Sequence, residues 1–235
     1  MSPSLREFHD DAFSGSVRLF PLPGLVMFPH VVQALHIFEP RYRQLLADAL
    51  DDDQLIAMAT LADGWQGEYD GQPPVHSEIC IGQISSHSML DDGCSNILLV
   101  GLRRARIVTE VDSDRLYRVA NAELLHDHYA AGCDETRSQL QLRLLTAFKE
   151  LMPKSALMAD QLVQAMGKES SLGMLTDLIG FSLKLPMGIK QQLLGQCNVD
   201  ARAEFLLDRI AIWDEENRQN PPHRRPGFPP DFSAN

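Results

Sequence analysis

Residues 19–46 read LFPLPGLVMFPHVVQALHIFEPRYRQLL and contain two kinds of local signal. In the first half, three prolines within nine residues remove backbone donors and force an extended, turning path. In the second half, residues 33–38 have the composition of a strand. A helix is expected to begin at Glu39-Pro40, because proline fits the first helical position and an acid suits the positive helix end. The stretch therefore predicts strands around a proline-rich turn, followed by a helix that ends at residues 51–53.

The sequence up to about residue 125 has the pattern of a mostly antiparallel sheet. Asp91-Asp92-Gly93 is a good hairpin turn between two apolar runs. Gly101, inside the second run, suggests a bulge or a sharp bend of the kind that closes barrels. Strands are expected at residues 17–20, 33–38, 54–61, 75–90, 95–109 and 116–125. We therefore expect a curled sheet with one inserted helix.

The hydrophobic period changes from strand to helix near residue 135. One helical face carries Leu140, Leu144, Leu145, Phe148, Leu151 and Met152. Further helices are expected at residues 156–166, 172–183, 186–197 and 200–216. Five of the fourteen prolines fall in the last fifteen residues, which predicts disorder there. The expected organisation is an N-terminal arm (1–16), a β-rich subdomain (17–130), a helical subdomain (131–216) and a flexible proline-rich tail (217–235), which is an α+β fold.

Composition and charge restrict the classes of partner. The 235 residues are 44% hydrophobic and 23% charged, which is typical of a globular chain with a core. A formal net charge of -11 repels phosphate backbones and anionic lipid, so neither nucleic acid nor a membrane is an expected partner. The start has no basic stretch followed by an apolar one, and the four cysteines form no C-x-x-C pair. We therefore expect a cytoplasmic protein with reduced thiols.

Common catalytic signatures do not occur in the sequence. There is no G-x-x-x-x-G-K-[ST] loop, no G-x-S-x-G elbow, no S-x-x-K and no H-E-x-x-H. The paired carboxylates lie at predicted turns or element ends, where acids usually cap or face solvent. We therefore expect no enzymatic activity, no catalytic residue and no cofactor.

Two polar clusters are candidates for ligand binding. One is basic and spans two predicted neighbouring strands: Arg103, Arg104, Arg106, Arg115 and Arg118. These arginines could hold a carboxylate, a phosphate or an acidic partner, or they could form an outward face that pairs with the chain's own acids. The other cluster is His126 and His128, which would point to the same side of a strand, with Cys133 beyond them. Three candidate ligands are few for a metal, so a polar strand end is the preferred interpretation and no metal site is expected.

Five segments together resemble a known family. They are LFPLPGLVMFP (19–29), LHIFEPRYRQLL (35–46), IGQI (81–84), ILLVGLRRARI (97–107) and the helical stretch at residues 172–210. They are similar to the N-terminal substrate-binding domain of ATP-dependent Lon protease, over residues 17–213, and most of all to stand-alone bacterial proteins that consist of this domain. The resemblance implies a PUA-like pseudo-barrel followed by a helical bundle.

The resemblance also implies a function without chemistry. Lon's motor needs a P-loop and its protease needs a Ser–Lys dyad, and this sequence has neither. Its cysteines are not paired for the zinc domain of the cereblon relatives. The implied role is therefore recognition of unfolded or peptide clients, with a separate protease as a further candidate partner. A peptidase label would come from the family name alone. The alternative is a small-molecule or metal-binding barrel that uses Arg103, Arg104 and Arg106 or the two histidines. RNA binding is a third hypothesis, which rests on fold analogy alone.

Four apolar residues are candidates for peptide binding. Strands interrupted by proline leave sheet edges and apolar pockets uncovered. An extended segment can hydrogen-bond to such an edge or bury its side chains in such a pocket. Met27 and Phe28 lie in the turn before Pro29, where they are either adaptable binding residues or part of the core. Phe38 and Tyr42 flank the helix start and are either a structural staple or a binding surface. The sequence leaves the client and the oligomeric state open.

Overall fold

A computed structural model describes residues 8–67, 72–131, 134–151 and 170–219. In these ranges the strands are β1 (Ser16–Leu22), β2 (Val32–Ile37), β3 (Leu55–Thr60), β4 (Glu78–Met89), β5 (Ser95–Val111) and β6 (Val119–Leu125). The helices are α1 (Pro40–Asp51), α2 (Asp134–Leu151), α3 (Leu172–Ser182), α4 (Met187–Gly195) and α5 (Val199–Gln219). The expected α+β class, with one helix inserted among the strands, is confirmed.

The six strands form one sheet in the order β2-β5-β4-β3-β1-β6. The β1–β3 pair is parallel, and the other pairs are antiparallel. The 17-residue strand β5 also pairs with β6, so the pairing runs from β5 through β4, β3, β1 and β6 back to β5. Strand β2 pairs only with the first half of β5 among the described strands. It therefore lies at the end of the sheet, outside this closed set of pairs.

Gly101 marks a bulge, as the sequence predicted. Gly82 pairs with Gly101 while Ile81 pairs with Arg103, so one residue of β5 has no opposite partner. A Cβ on Gly101 would lie 2.1 Å from the carbonyl oxygen of Phe28. Glycine is therefore needed here because the proline-rich segment crosses β5 at backbone distance.

Helix α1 begins and ends where its sequence signals place it. Glu39 precedes the helix and Pro40 occupies its first turn. The ring of Tyr42 stacks on that of Phe20 with centroids 4.1 Å apart, and its hydroxyl donates to the carbonyl of Pro21 at 3.0 Å. The helix is thereby fixed against the end of β1.

The core is shared by the sheet and the helices. Its larger cluster contains side chains from strands and helices alike, among them Phe20, Ile37, Leu99, Leu45, Leu144 and Leu206. A smaller cluster joins five strands through mostly compact side chains: Val17, Leu19, Ala57, Ala59, Ile79, Ile81, Ala105, Ala120 and Ala122. Small residues let the strands that line this cluster approach one another closely.

Some element boundaries differ from the sequence expectation. The last strand begins at Val119 rather than at residue 116, because residues 112–118 form a bent connection that is not part of a strand. The predicted helix at 156–166 and residues 220–235 of the predicted tail lie outside the described residues. Within the described ranges, no helix is both long and apolar enough to span a lipid bilayer.

Candidate functional site

An uncovered apolar face lies where β2 meets β5. Val32 pairs directly with Val100, and Ala34 with Leu98, so these four side chains share one side of the sheet. Val32 is 57% exposed and Leu98 is 41% exposed. We call these four residues the β2–β5 face. Exposed apolar side chains that are neighbours, rather than scattered, are typical of an interaction surface.

The same strands are buried on their other side. The side chains of Leu35 and Ile37 pack into or against the larger core cluster, which also holds Ile97 and Leu99 of β5. Helix α1 contacts β2 as well. Strand β2 therefore has one side fixed by the core and one side that carries the β2–β5 face, as expected for a half-buried strand.

The four predicted peptide-binding residues do not form one surface. Met27 and Phe28 are fully buried, so the core interpretation describes both of them. Tyr42 is buried against Phe20. Phe38 is exposed, with its ring 5.9 Å from that of His36 at the end of β2. Of the four candidates, Phe38 alone lies at the margin of the β2–β5 face. Met27 and Phe28 are buried because the proline-rich turn folds inward under β5.

The five predicted anion-binding arginines do not lie on two strands. Arg115 and Arg118 precede β6, because the turn after β5 is longer than predicted. Arg104 points inward rather than outward, since it is buried. The ion pairs are Arg103–Asp10, Arg104–Asp177, Arg106–Glu78, Arg115–Asp48 and Arg118–Glu110. The guanidinium groups are thus placed against five different acids of the chain itself, not around a shared space for a ligand.

A buried ionic network, which the sequence did not reveal, joins the sheet to the helices. Arg104 of β5 donates from both terminal nitrogens to Asp177 of α3, with Nη1–Oδ2 at 3.1 Å. Arg202 of α5 donates from Nε to the hydroxyl of Thr176 at 2.8 Å and from Nη1 to Asp127 Oδ1 at 2.8 Å. Two positive and two negative side chains therefore balance one another where β5, α3 and α5 meet.

Comparison with known proteins identifies the family. A family model described as the substrate-binding domain of the ATP-dependent protease La (LON) matches residues 16–211. The chain belongs to this family. The resemblance seen in the sequence is thereby confirmed.

Curated relatives of this Lon-type domain are much longer proteins. A Lon protease from Heliobacterium modesticaldum is 26% identical over 193 residues, which are 82% of this chain and 23% of that protein. A Lon protease from Brevibacillus choshinensis is 27% identical over 190 residues, which are 80% of this chain and 24% of that protein. The chain spans about a quarter of the length of these relatives.

Solved structures agree with the fold. The N-terminal domain of Mycobacterium avium complex Lon protease has a TM-score of 0.66 at 17% identity, covering 83% of this chain and 98% of that one. A Lon N-terminal domain protein from Xanthomonas campestris has a TM-score of 0.58 at 20% identity, covering 82% and 97%. At these identities the likeness shows the fold alone.

Electrostatics in the Lon-type domain favour a structural role for the network. Burial opposes the charge on Arg104, but the charge and hydrogen bonds of Asp177 outweigh it and raise the arginine pKa. Burial likewise opposes ionisation of Asp127, but hydrogen bonds from Arg202 and the charge of Arg104 hold its pKa below the ordinary value. Nε, Nη1 and Nη2 of Arg104 all donate within the protein. These groups therefore hold the helices in place.

The histidine pair of the Lon-type domain has separate surroundings. His126 is exposed, with Nδ1 3.5 Å from Asp10 Oδ2. The backbone of His128 pairs with the start of α5 by donating to Cys197 and accepting from Val199, both at 3.0 Å. Among the described residues, which exclude Cys133, no three His, Cys, Asp or Glu side chains lie close enough to hold a metal ion. Among these residues, no contact favours the metal-binding alternative.

A polar cleft lies between the start of α1 and the β5–β6 connection. Its volume is about 480 Å³, and its lining includes Arg41, Glu110, Asp112 and Arg118. Arg118 donates to Glu110 and also to the carbonyl of Pro73 at 2.7 Å. Because the lining carries both cations and anions, and Arg118 pairs with Glu110, the cleft has no strong preference for one charge of ligand.

Proposed function

We propose that this domain is a non-catalytic recognition module that binds unfolded or peptide segments of client proteins. The matching family is the substrate-binding domain of a protease, and that protease is ATP-dependent. We therefore also propose a cytoplasmic location, where ATP is available, and cooperation with a protease. The uncovered β2–β5 face is the observation that carries the proposal.

Physical chemistry makes the β2–β5 face suitable for non-native chains. Folded proteins bury most of their large apolar side chains, whereas unfolded segments expose them. Covering apolar surface contributes roughly 25 cal/mol per Å², so a face built around Val32 and Leu98 supports weak, reversible binding. Such contacts are not directional, and they therefore tolerate many client sequences.

The rest of the molecule serves as a scaffold in this proposal. We propose that the closed set of paired strands is a PUA-like pseudo-barrel. We also propose that the β-rich part (residues 17–130) and the helical part (131–216) act as one unit, with the network around Arg104 and Arg202 between them. The net charge of -11 opposes an RNA ligand.

Capture of a permanently unfolded probe tests the proposed function. The probe is a reduced, alkylated and fluorescently labelled disulfide protein, and binding is followed by anisotropy. Leu98→Asp places a charge on the β2–β5 face and is expected to weaken binding by about tenfold or more, which is about 1.4 kcal/mol.

Val108→Asp is the matched control for this experiment. Val108 lies on the same strand, is 58% exposed and is outside the β2–β5 face. Its substitution is expected to leave capture unchanged. If wild-type protein does not retain the probe, or if both variants lose it equally, the proposed function is wrong.

A further inference from the structure

We propose that the client segment binds as an added β-strand along the outer edge of β2. The inference rests on the proposed function and specifies its mode: the occupant is an extended, neutral or basic segment of another, non-native polypeptide. Its backbone hydrogen-bonds to β2, and alternate side chains contact the β2–β5 face. Recognition is then largely of the backbone, which every client shares.

The hydrogen-bond pattern shows which backbone groups of β2 point outward. Gly101 N–H donates to the carbonyl of Val31 at 2.8 Å, directly before the β2–β5 register begins at Val32↔Val100. In antiparallel pairs, successive residues alternate between facing the neighbouring strand and facing away from it. The backbone groups of Val32, Ala34 and His36 therefore face away from β5. No described strand pairs with that side of β2.

The outer edge of β2 has little of the protection that edge strands usually carry. Natural edges are blunted by lysine, proline, bulges or inward charges. Strand β2 reads VQALHI, and its pairing with β5 shows no register shift. One side chain does cover the edge, since Gln33 Nε2 donates to the carbonyl oxygen of Ala34 at 2.8 Å. Gln33 therefore occupies an acceptor that an added strand would use.

Charge decides between a foreign segment and a second copy of the chain. Two copies, each with a net charge of -11, repel one another, whereas a neutral or basic segment is not repelled. The edge itself carries no Asp, Glu, Lys or Arg between Val32 and Ile37. Long-range charge therefore favours basic clients, while the local contacts are made by backbone and apolar groups.

A short basic peptide tests strand addition directly. The probe is a labelled peptide of about seven residues with alternating valine and lysine, since a strand advances about 3.3 Å per residue and this length covers β2. Ala34→Pro removes an outward donor but no bond to β5, and is expected to weaken binding about tenfold or more. Ala34→Val keeps the donor and extends the apolar face, so it is the matched control and is expected to bind the peptide at least as tightly as wild-type protein. Gln33→Ala frees the Ala34 carbonyl and is expected to raise affinity about two- to tenfold.

A second probe tests strand addition on wild-type protein, so the result does not depend on whether the proline variant folds. The same peptide, N-methylated at its valines, cannot donate from the edge that places those valines over the β2–β5 face in an antiparallel pair, and it is expected to bind wild-type protein about tenfold less tightly. Equal binding of methylated and unmethylated peptide overturns strand addition. If capture of the unfolded probe still depends on Leu98 in that case, the proposed function stands without it. If sedimentation shows a dimer that Ala34→Pro dissociates, the occupant is a second copy and the inference is wrong.

Discussion

Removal of Arg104 from the buried network is expected to cost a large fraction of the domain's stability. The side chain is 3% exposed and donates to both oxygens of Asp177 and to the carbonyl of Leu194 at 3.0 Å. In Arg104→Met, Asp177 keeps a charged neighbour in Arg202, whose Nε is 3.8 Å from Oδ1. A buried carboxylate that has lost its bidentate partner is destabilising by about 3–5 kcal/mol. For a chain of this size the melting temperature should fall by about 6–20 °C.

Urea unfolding of four variants, namely Arg104→Met, Asp177→Leu, the double variant and an exposed control, separates the ion pair from ordinary loss of packing. Arg106→Met is the matched control two residues along β5, because that side chain is 52% exposed and meets Glu78 at 3.3 Å. An exposed pair of this kind contributes less than about 1 kcal/mol. The double variant Arg104→Met with Asp177→Leu removes both charges and should recover most of the lost stability, because apolar side chains of similar volume replace a buried pair well.

Two results would contradict this reasoning. One is a loss in Arg104→Met no larger than that in Arg106→Met. The other is a double variant whose destabilisation equals the sum of the two single losses, because the two side chains would then not be coupled. The first result would mean that neither the ion pair nor the bond to Leu194 contributes much to stability. The second would mean that Arg104 contributes through its bond to Leu194 rather than through the charge of Asp177.

Three further predictions follow from single contacts. Gly101→Ala should destabilise the protein by about 1–3 kcal/mol or more, because its Cβ would meet a backbone oxygen. Gly188→Ala has open space around the new Cβ and should stabilise the protein by about 0.5–1 kcal/mol. Thermal melts check both predictions. The depressed pKa of Asp127 means that the folded state binds fewer protons, so urea midpoints should drop as the pH falls below about 4, less steeply in Asp127→Asn. Burial raises the pKa of the Cys80 thiol, so alkylation of the native protein should spare Cys80 and reach the partly exposed Cys94 and Cys197, and peptide mass mapping checks this.

Local signals made much of the fold predictable. The start of α1 follows from Glu39-Pro40, and the β4–β5 hairpin follows from its Asp-Asp-Gly turn. The bulge at Gly101 was also predictable, because a glycine inside an apolar strand indicates a bend or a close backbone approach. Each of these features depends on residues within a few positions of one another, so the sequence pattern contains the whole cause.

The candidate site was less predictable, because it depends on pairings between distant parts of the chain. Arg104 and Asp177 are 73 positions apart, and no local pattern connects them. A signal did exist in the helices: Asp177 lies within the apolar run LGMLTDLIGF, and Arg202 precedes Leu206 by one helical turn on a buried face. A charge on an apolar helical face predicts a buried partner, although it does not say which one.

Exposure of the β2–β5 face could not be predicted from the sequence either. Met27, Phe28 and Val32 are all apolar, and which of them faces solvent depends on how the proline-rich segment crosses β5. That crossing is set by the contact between Phe28 and Gly101, which lie far apart in the chain. Average burial statistics correctly favoured the core for Met27 and Phe28 but gave no information on the neighbouring strand.

The buried and exposed parts of this segment depend on each other. The backbone at His30 and Val31 bonds to Gly101 immediately before β2 begins, and Phe28 fills the core below. The first residue of β2 is therefore held in position by side chains that no client can reach. A fixed edge loses little conformational freedom when a strand adds to it, so the ordering cost falls mainly on the client. The proline-rich motif therefore contributes to client binding by positioning the edge of β2, and not by contacting the client.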